Sequence, residues 1–162
     1  MDTVFQKLIK EIAEKLIKQK FKLSIAESCT GGFISNALTN LPGASKFFDM
    51  SIICYSLSSK SSVLGISSYK LSKSGTVSEE IAAAMAKSVR KMSATDISLS
   101  VTGVAGPEKI ENKGVGLIYM AVALEDFIET KGIKLSGDRE DIKKQASLEA
   151  LKFLNQVLRI WL

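Results

Sequence analysis

The sequence contains no histidine among its 162 residues, which excludes the Ser–His and Cys–His pairs of many hydrolases and the commonest zinc ligand. Its two cysteines, Cys29 and Cys54, show no metal-type spacing, so we expect no metal site and a reducing compartment. The longest apolar run, near residues 115–124, is well short of the roughly 20 residues that span a bilayer. These absences predict a cytoplasmic protein with no metal and no membrane partner.

The basic residues are spread along the chain. There are 22 lysines and arginines against 17 acidic residues, a formal charge of +5. Because nucleic-acid sites need clustered positive charge, this spread favours a solvated surface and predicts no nucleic-acid partner, although anionic small ligands remain compatible. The length, with 46% hydrophobic and 24% charged residues, is typical of one compact domain spanning residues 1–162.

Helical and strand patterns alternate along the chain. Helices are predicted at residues 3–20, 33–40, about 59–64, from the N-cap Ser78 onward and at 138–161; strands are predicted at 22–27, 47–56 (a buried strand), 96–103, 114–124 and 127–136. The last two strands are close enough to form a hairpin, so the sheet is mixed. We therefore expect an α/β fold: a three-layer α/β/α sandwich around a mixed, mostly parallel sheet of about five to six strands.

The stretch "AESCTGG", residues 26–32, places two candidate nucleophiles, Ser28 and Cys29, between a predicted strand and a predicted helix. In such a turn the free N–H groups of the helix start, here those near residues 29–32, can hold a developing oxyanion. Gly31 and Gly32 leave room for a substrate to approach the backbone. The alternative is that Ser28 or Thr30 merely caps the helix.

A serine nucleophile needs a base, and without histidine the candidates are carboxylates and lysines. Lys60 is the best placed, because it follows the strand that ends near Tyr55, whose hydroxyl could orient or relay a proton. A lysine acts as a base near neutral pH only when its pKa is lowered by burial or by a neighbouring cation. The alternative is a solvated surface lysine.

Two further stretches could contact a substrate. Thr102 and Gly103 lie where a predicted strand turns, so their hydroxyl and amides could bind a ligand or simply end the strand. Arg139 lies in the first turn of the last predicted helix, where a cation opposes the helix dipole unless an anion is near. Glu140 and Asp141 could be that anion, and so could a ligand phosphate.

Seven stretches, in this order and spacing, resemble those of the C-terminal CinA family: "AESCTGG", "LPGASKFF", "YSLSSK", "GTVSEEIAAAMA", "TGVAGP", "KGVG" and "SGDRE". The resemblance runs from about residue 3 to residue 160. It implies hydrolysis of the carboxamide of nicotinamide mononucleotide, a small-molecule nucleotide substrate, with no metal or organic cofactor, and self-association as a homodimer or higher homo-oligomer. It also implies catalytic roles for Ser28, Lys60 and Tyr55, and substrate contacts from Thr102 and Arg139. Residues 30–32 and Gly103 remain candidate substrate contacts from their positions at the two turns.

Two stretches depart from the family pattern. Leu57 stands where many relatives have asparagine, and the loop at 108–113 reads Glu-Lys-Ile-Glu-Asn-Lys where further glycines are usual. These departures motivate a second hypothesis, a catalytically silent nucleotide-binding or interaction module of the same fold. A third hypothesis makes Cys29 the nucleophile, because a thiol at a helix start can have a lowered pKa.

Overall fold

The computed structural model describes residues 3–161. Its helices are α1 (Thr3–Gln19), α2 (Phe33–Thr39), α3 (Leu57–Ser62), α4 (Ser68–Ser74), α5 (Glu79–Ser93) and α6 (Arg139–Trp161), with a 3₁₀ turn at Ala44–Lys46. Its strands are β1 (Leu23–Glu27), β2 (Phe48–Ile53), β3 (Ile97–Gly103), β4 (Leu117–Leu124) and β5 (Phe127–Lys134). Within this range no helix combines the length and the apolar character needed to cross a membrane.

The five strands form one mixed sheet in the order β2-β1-β3-β4-β5. Strands β2, β1 and β3 are parallel, and the β4–β5 hairpin adds two antiparallel pairings. Helix α5 packs on one face of the sheet, and helices α1, α2 and α6 enclose the larger hydrophobic core on the other. The predicted α/β fold with a mixed sheet is therefore confirmed.

Alternation along β3 explains how the two faces differ. Ile97, Leu99 and Val101 lie in the larger core, whereas the serines between them face α5. Ser98 Oγ donates to the Ala86 carbonyl at 2.7 Å, and Ser100 Oγ donates to the Ala82 carbonyl at 2.6 Å. Small side chains on both elements let the helix lie close to the sheet, so the buried hydroxyls find acceptors on the helix backbone.

One local expectation was wrong, and one helix was missed. Strand β2 was expected to be buried, but it lies at the edge of the sheet, and Ile53 is 52% exposed. Its apolar composition resembles that of a central strand, and the sequence does not show which strand lacks a second neighbour. Helix α4 was not predicted, because it is short and rich in serine and lysine. Its start is stabilised by Ser67, whose side chain accepts from the Lys70 N–H.

Candidate active site

The predicted site residues meet at the carboxyl end of the parallel strands. Ser28 follows β1 directly, and its N–H donates to the Val101 carbonyl at 3.0 Å, which holds the turn against β3. Thr102 and Gly103 end β3, while Tyr55 and Lys60 follow β2. Ligands of open α/β sheets bind at this end. Side chains from three adjacent strand ends therefore share one cleft.

Lys60 contacts Ser28 directly. Its Nζ lies 2.8 Å from Ser28 Oγ, 2.8 Å from the Cys54 carbonyl and 3.5 Å from the Tyr55 carbonyl. Lys60 is only 1% exposed and Ser28 only 6%. A neutral amine would donate two protons to the carbonyls and accept the Ser28 hydroxyl proton with its lone pair. This arrangement suits a serine nucleophile with a lysine base.

The electrostatic environment of Lys60 favours the neutral amine. Burial lowers its pKa from the ordinary value of 10.5, while Cys54, Cys29 and Glu111 oppose that shift. Among residues 3–161, no carboxylate forms an ion pair with this ammonium group. Because desolvation disfavours the charged form, Lys60 is a stronger candidate base near neutral pH than a surface lysine.

Cys29, the alternative nucleophile, has the opposite tendency. Burial raises its pKa to about 12, although the nearby N–H groups of Cys29 and Thr30 and the Lys60 charge favour the thiolate. A thiol attacks as the thiolate. Near neutral pH this thiol is therefore almost entirely protonated, which argues against a cysteine mechanism.

Glu27 organises the start of α2. Its buried carboxylate accepts hydrogen bonds from Thr30 Oγ1 at 2.6 Å, from the N–H of Gly32 at 2.9 Å and from the N–H of Ser35 at 2.9 Å. The N-cap residue is Gly32, which has no side chain to accept a hydrogen bond. The alternative that Ser28 or Thr30 caps the helix is therefore wrong, because Glu27 supplies the acceptor. Ser28 is left facing Lys60.

Contacts with Glu27 and with the Ser28 carbonyl reduce the number of backbone N–H groups that could bind an oxyanion. The N–H of Gly31 donates to the Ser28 carbonyl, and that of Gly32 donates to Glu27. Both glycines adopt left-handed backbone conformations, with φ of 64° and 93°, which favour glycine. In the described part of the chain, no backbone acceptor engages the N–H groups of Cys29 and Thr30. These two groups are the remaining candidate donors beside Ser28.

A cleft of about 70 Å³ opens above the Ser28–Lys60 pair. On one side Thr102 lies in its wall, where the buried hydroxyl donates to the Thr76 carbonyl at 2.8 Å. Gly103 serves packing, since a Cβ there would lie 2.8 Å from the Leu117 carbonyl oxygen. Thr102 and Gly103 thus shape the wall of the cleft.

Arg139 lies at the mouth of the cleft. Its guanidinium donates to the Gly106 carbonyl and to the Tyr55 hydroxyl. Glu140 pairs instead with Lys144 at 2.7 Å, and within residues 3–161 neither Glu140 nor Asp141 forms an ion pair with Arg139. The Tyr55 hydroxyl is bound to Arg139, and the part of Tyr55 that faces Lys60 is its carbonyl. The charge of Arg139 is therefore available to an anionic ligand.

A family model described as "CinA C-terminal domain" matches residues 5–158 of this chain. The chain belongs to that family. A CinA-like protein of Geotalea uraniireducens is 40% identical over 159 residues, which cover 98% of this chain and 36% of the relative. A CinA-like protein of Kosmotoga olearia is 40% identical over 157 residues, covering 96% of this chain and 38% of the relative. This CinA domain thus spans little more than a third of the curated relatives it matches.

Solved structures agree with the fold of this CinA domain. It superposes with a TM-score of 0.95 on the competence damage-inducible protein A of Klebsiella pneumoniae, at 31% identity, with 98% of this chain and 99% of that chain covered. A CinA superfamily protein of Escherichia coli gives a TM-score of 0.93 at 30% identity, with 97% and 92% covered. The five-stranded α/β architecture is therefore that of the CinA superfamily.

Two acidic residues of the CinA domain were not among the predicted site residues. Glu27 lies inside "AESCTGG", five residues before the N-cap Gly32, and an acid close to a helix start was a signal that a carboxylate satisfies the first N–H groups. Glu111 lies in the 108–113 loop, and its carboxylate accepts from the N–H of Thr76 at 2.7 Å. No local sequence pattern predicts that contact, because 35 residues separate Thr76 from Glu111.

Replacing Glu27 with glutamine tests its role at the helix start. The amide would present N–H donors to groups that are themselves donors, so several hydrogen bonds are lost at once. We expect the free energy of unfolding to fall by about 2 kcal/mol or more, the scale of hydrogen bonds to a charged group. Urea unfolding followed by circular dichroism measures this. Glu14→Gln, on the exposed face of α1, is the control, and an equal small loss in both variants would contradict the assignment.

Proposed function

We propose that this CinA domain hydrolyses the carboxamide of nicotinamide mononucleotide, giving nicotinate mononucleotide and ammonia. The observation that carries the proposal is the contact at 2.8 Å between the buried Lys60 amine and the Ser28 hydroxyl. A serine activated by a desolvated lysine suits acyl transfer from an amide. Family membership supports the substrate through the motif resemblance described above.

In the proposed mechanism, Ser28 Oγ attacks the amide carbon while neutral Lys60 accepts the hydroxyl proton. The N–H groups of Cys29 and Thr30 would donate to the resulting oxyanion. Lys60 would then return the proton to the leaving nitrogen, so that ammonia departs and an acyl-enzyme remains. Water would hydrolyse the ester, with Lys60 taking and returning a proton again. No group outside the chain and water is required for this sequence.

Arg139 is proposed to hold the phosphate of the substrate. Its guanidinium lies at the cleft mouth, where it contacts the Gly106 carbonyl and the Tyr55 hydroxyl. A phosphate would exchange these neutral acceptors for charged ones and could be gripped bidentately. This proposal explains why a cation occupies the first turn of α6 despite the unfavourable helix dipole.

Arg139→Gln should raise KM for nicotinamide mononucleotide by about ten- to a hundredfold, the range expected for losing hydrogen bonds to a charged group. The effect on kcat should be smaller, because Arg139 is not in contact with Ser28 or Lys60. Steady-state ammonia release measures both constants. Arg159→Gln is the control, since Arg159 lies at the far end of α6 and pairs with Glu11. A fall in kcat with KM unchanged would contradict phosphate binding.

A second candidate function is a catalytically silent nucleotide-binding or interaction module. The observation that favours loss of catalysis is the size of the cleft, about 70 Å³, against the roughly 300–1,000 Å³ of typical ligand pockets, because a carboxamide must enter this cleft to reach Ser28. Leu57 contributes less to this hypothesis, because it is 51% exposed and is not among the residues that line the cleft.

Ammonia release from nicotinamide mononucleotide, with ligand binding measured in parallel by calorimetry, separates the two functions. Release together with binding supports the amidase. Binding without release would favour the silent module, and neither binding nor release would reject this substrate.

A further inference from the structure

The 108–113 loop is folded back over the cleft. Ile110 and Lys113 exchange two backbone hydrogen bonds, of 3.1 and 2.7 Å, around Glu111 and Asn112. The latter two residues have positive φ angles of 53° and 62°, the combination of a type I′ turn, in which asparagine is favoured. This turn places the side chain of Ile110 in the cleft lining and aims Glu111 at the segment before α5.

Glu111 fastens the loop to that segment. Its carboxylate accepts from the N–H of Thr76 at 2.7 Å and from Thr76 Oγ1 at 2.8 Å. Lys113 donates to the same carboxylate and to the Ser74 carbonyl, both at 3.1 Å. A side chain at Gly75 would collide with the Glu111 carboxylate, so the glycine makes room for the contact. Burial raises the pKa of Glu111, but the bonds from Thr76 and Lys113 outweigh it and leave the pKa lowered.

These contacts join two walls of the cleft. Thr76 lines the cleft beside Thr102, whose hydroxyl donates to the Thr76 carbonyl, and Ile110 lies on the loop side. With the loop fastened, the cleft holds about 70 Å³, well below the roughly 300–1,000 Å³ of typical ligand pockets. A nucleotide therefore needs the cleft to widen.

We propose that Glu111 is a positioning residue that latches the 108–113 loop over the Ser28–Lys60 pair, and that release of this latch admits the substrate. The inference takes the nucleotide size of the substrate from the proposed function. The proposed opening is local: the hydrogen bonds between Glu111 and Thr76 break while the sheet and helices stay intact.

The test uses Cys29 as a reporter of cleft opening. Cys29 lines the cleft, whereas Cys54 is fully buried and is not part of the lining. The intact protein is treated with iodoacetamide at one fixed pH, and mass spectrometry follows alkylation of each cysteine. The charges that act directly on the Cys29 pKa are those of Lys60 and Glu27. Glu111 raises the pKa of Lys60, so its replacement favours neutral Lys60 and a scarcer Cys29 thiolate, which would slow alkylation; faster alkylation therefore reports access to the thiol. The experiment requires no turnover, and failure of the amidase proposal would leave its result valid.

Glu111→Gln should accelerate alkylation of Cys29 by about tenfold, the factor that corresponds to losing one charged hydrogen bond, with Cys54 unchanged. Glu108→Gln removes the same charge from the same loop and should match the parent. Lys113→Gln leaves the Glu111–Thr76 bonds in place and should give a smaller increase. Equal Cys29 rates in the parent and Glu111→Gln would overturn the latch. A parallel rise at Cys54 would also overturn it, because the opening would then be global.

Discussion

Replacing Ser28 with alanine is expected to lower kcat for ammonia release by about a thousandfold or more, the scale seen when a nucleophile is removed from a unit that acts together. The loss follows because the attacking oxygen, 2.8 Å from Lys60 Nζ, is gone while the turn that holds it remains. Discontinuous ammonia assays with high enzyme concentration, together with mass spectrometry for an acyl-enzyme, measure the effect.

Cys29→Ala is the matched control for this experiment. It removes the neighbouring candidate nucleophile from the same turn, and the burial that raises the pKa of Cys29 to about 12 makes its thiolate scarce near neutral pH. We expect its kcat to stay within a few-fold of the parent. Full activity in Ser28→Ala combined with loss in Cys29→Ala would reverse the assignment and make the thiol the nucleophile.

Lys60→Met is expected to lower kcat by roughly a hundred- to ten-thousandfold, the contribution typical of a general base. Methionine has a similar shape and cannot accept a proton. In the parent, kcat/KM should rise with pH up to the pKa of Lys60, which burial places below 10.5, because the neutral amine is the active form. Measuring kcat/KM against pH in both proteins shows whether this acid limb disappears with the amine.

Lys60→Met is also expected to change how the free energy of unfolding depends on pH. A lysine whose pKa is lowered on folding binds fewer protons in the folded state, so stability increases as pH rises from its folded pKa to the unfolded value near 10.4. The gain is about 1.4 kcal/mol for each unit between the two values. Lys60→Met should lack this gain, and the difference between the two unfolding curves isolates it from other groups.

Lys70→Met, on the exposed side of α4, is the control for both measurements. It removes an exposed amine from a nearby helix, so its activity and its stability profile should match those of the parent. Parallel stability profiles in the parent and Lys60→Met would contradict the desolvated state of Lys60. An unchanged acid limb in Lys60→Met would show that another group is the base.

Much of the fold was predictable because each pattern was local. The strand at 96–103 and the helix after the N-cap Ser78 were each predicted from their own residues, and Ser78 accepts from the Ile81 N–H as expected. The edge position of β2 was not predictable, because the order of strands depends on long-range pairing. The short helix α4 was missed since its composition resembles that of a loop.

Some residues of the candidate site were likewise predictable from the sequence, and others were not. Ser28 and Lys60 could be proposed from the strand-end positions and the absence of histidine, and their contact at 2.8 Å agrees with that reasoning. The assignment of the helix-start N–H groups to Glu27 was missed, because serine and threonine are the usual caps. The partner of Glu111 also had to come from the structure, because its contact with Thr76 joins segments distant in sequence.

The register of the sheet also determines where the molecule can be attached to a surface. Gly103 pairs with Ile118 near the cleft, whereas Ile97 pairs with Leu124 at the other end of the same strands. The turn that follows Leu124, at Glu125 and Asp126, therefore lies at the end of the sheet remote from Ser28. Both residues of this turn are exposed. A cysteine or affinity tag introduced there would immobilise the protein with its cleft directed toward the solution.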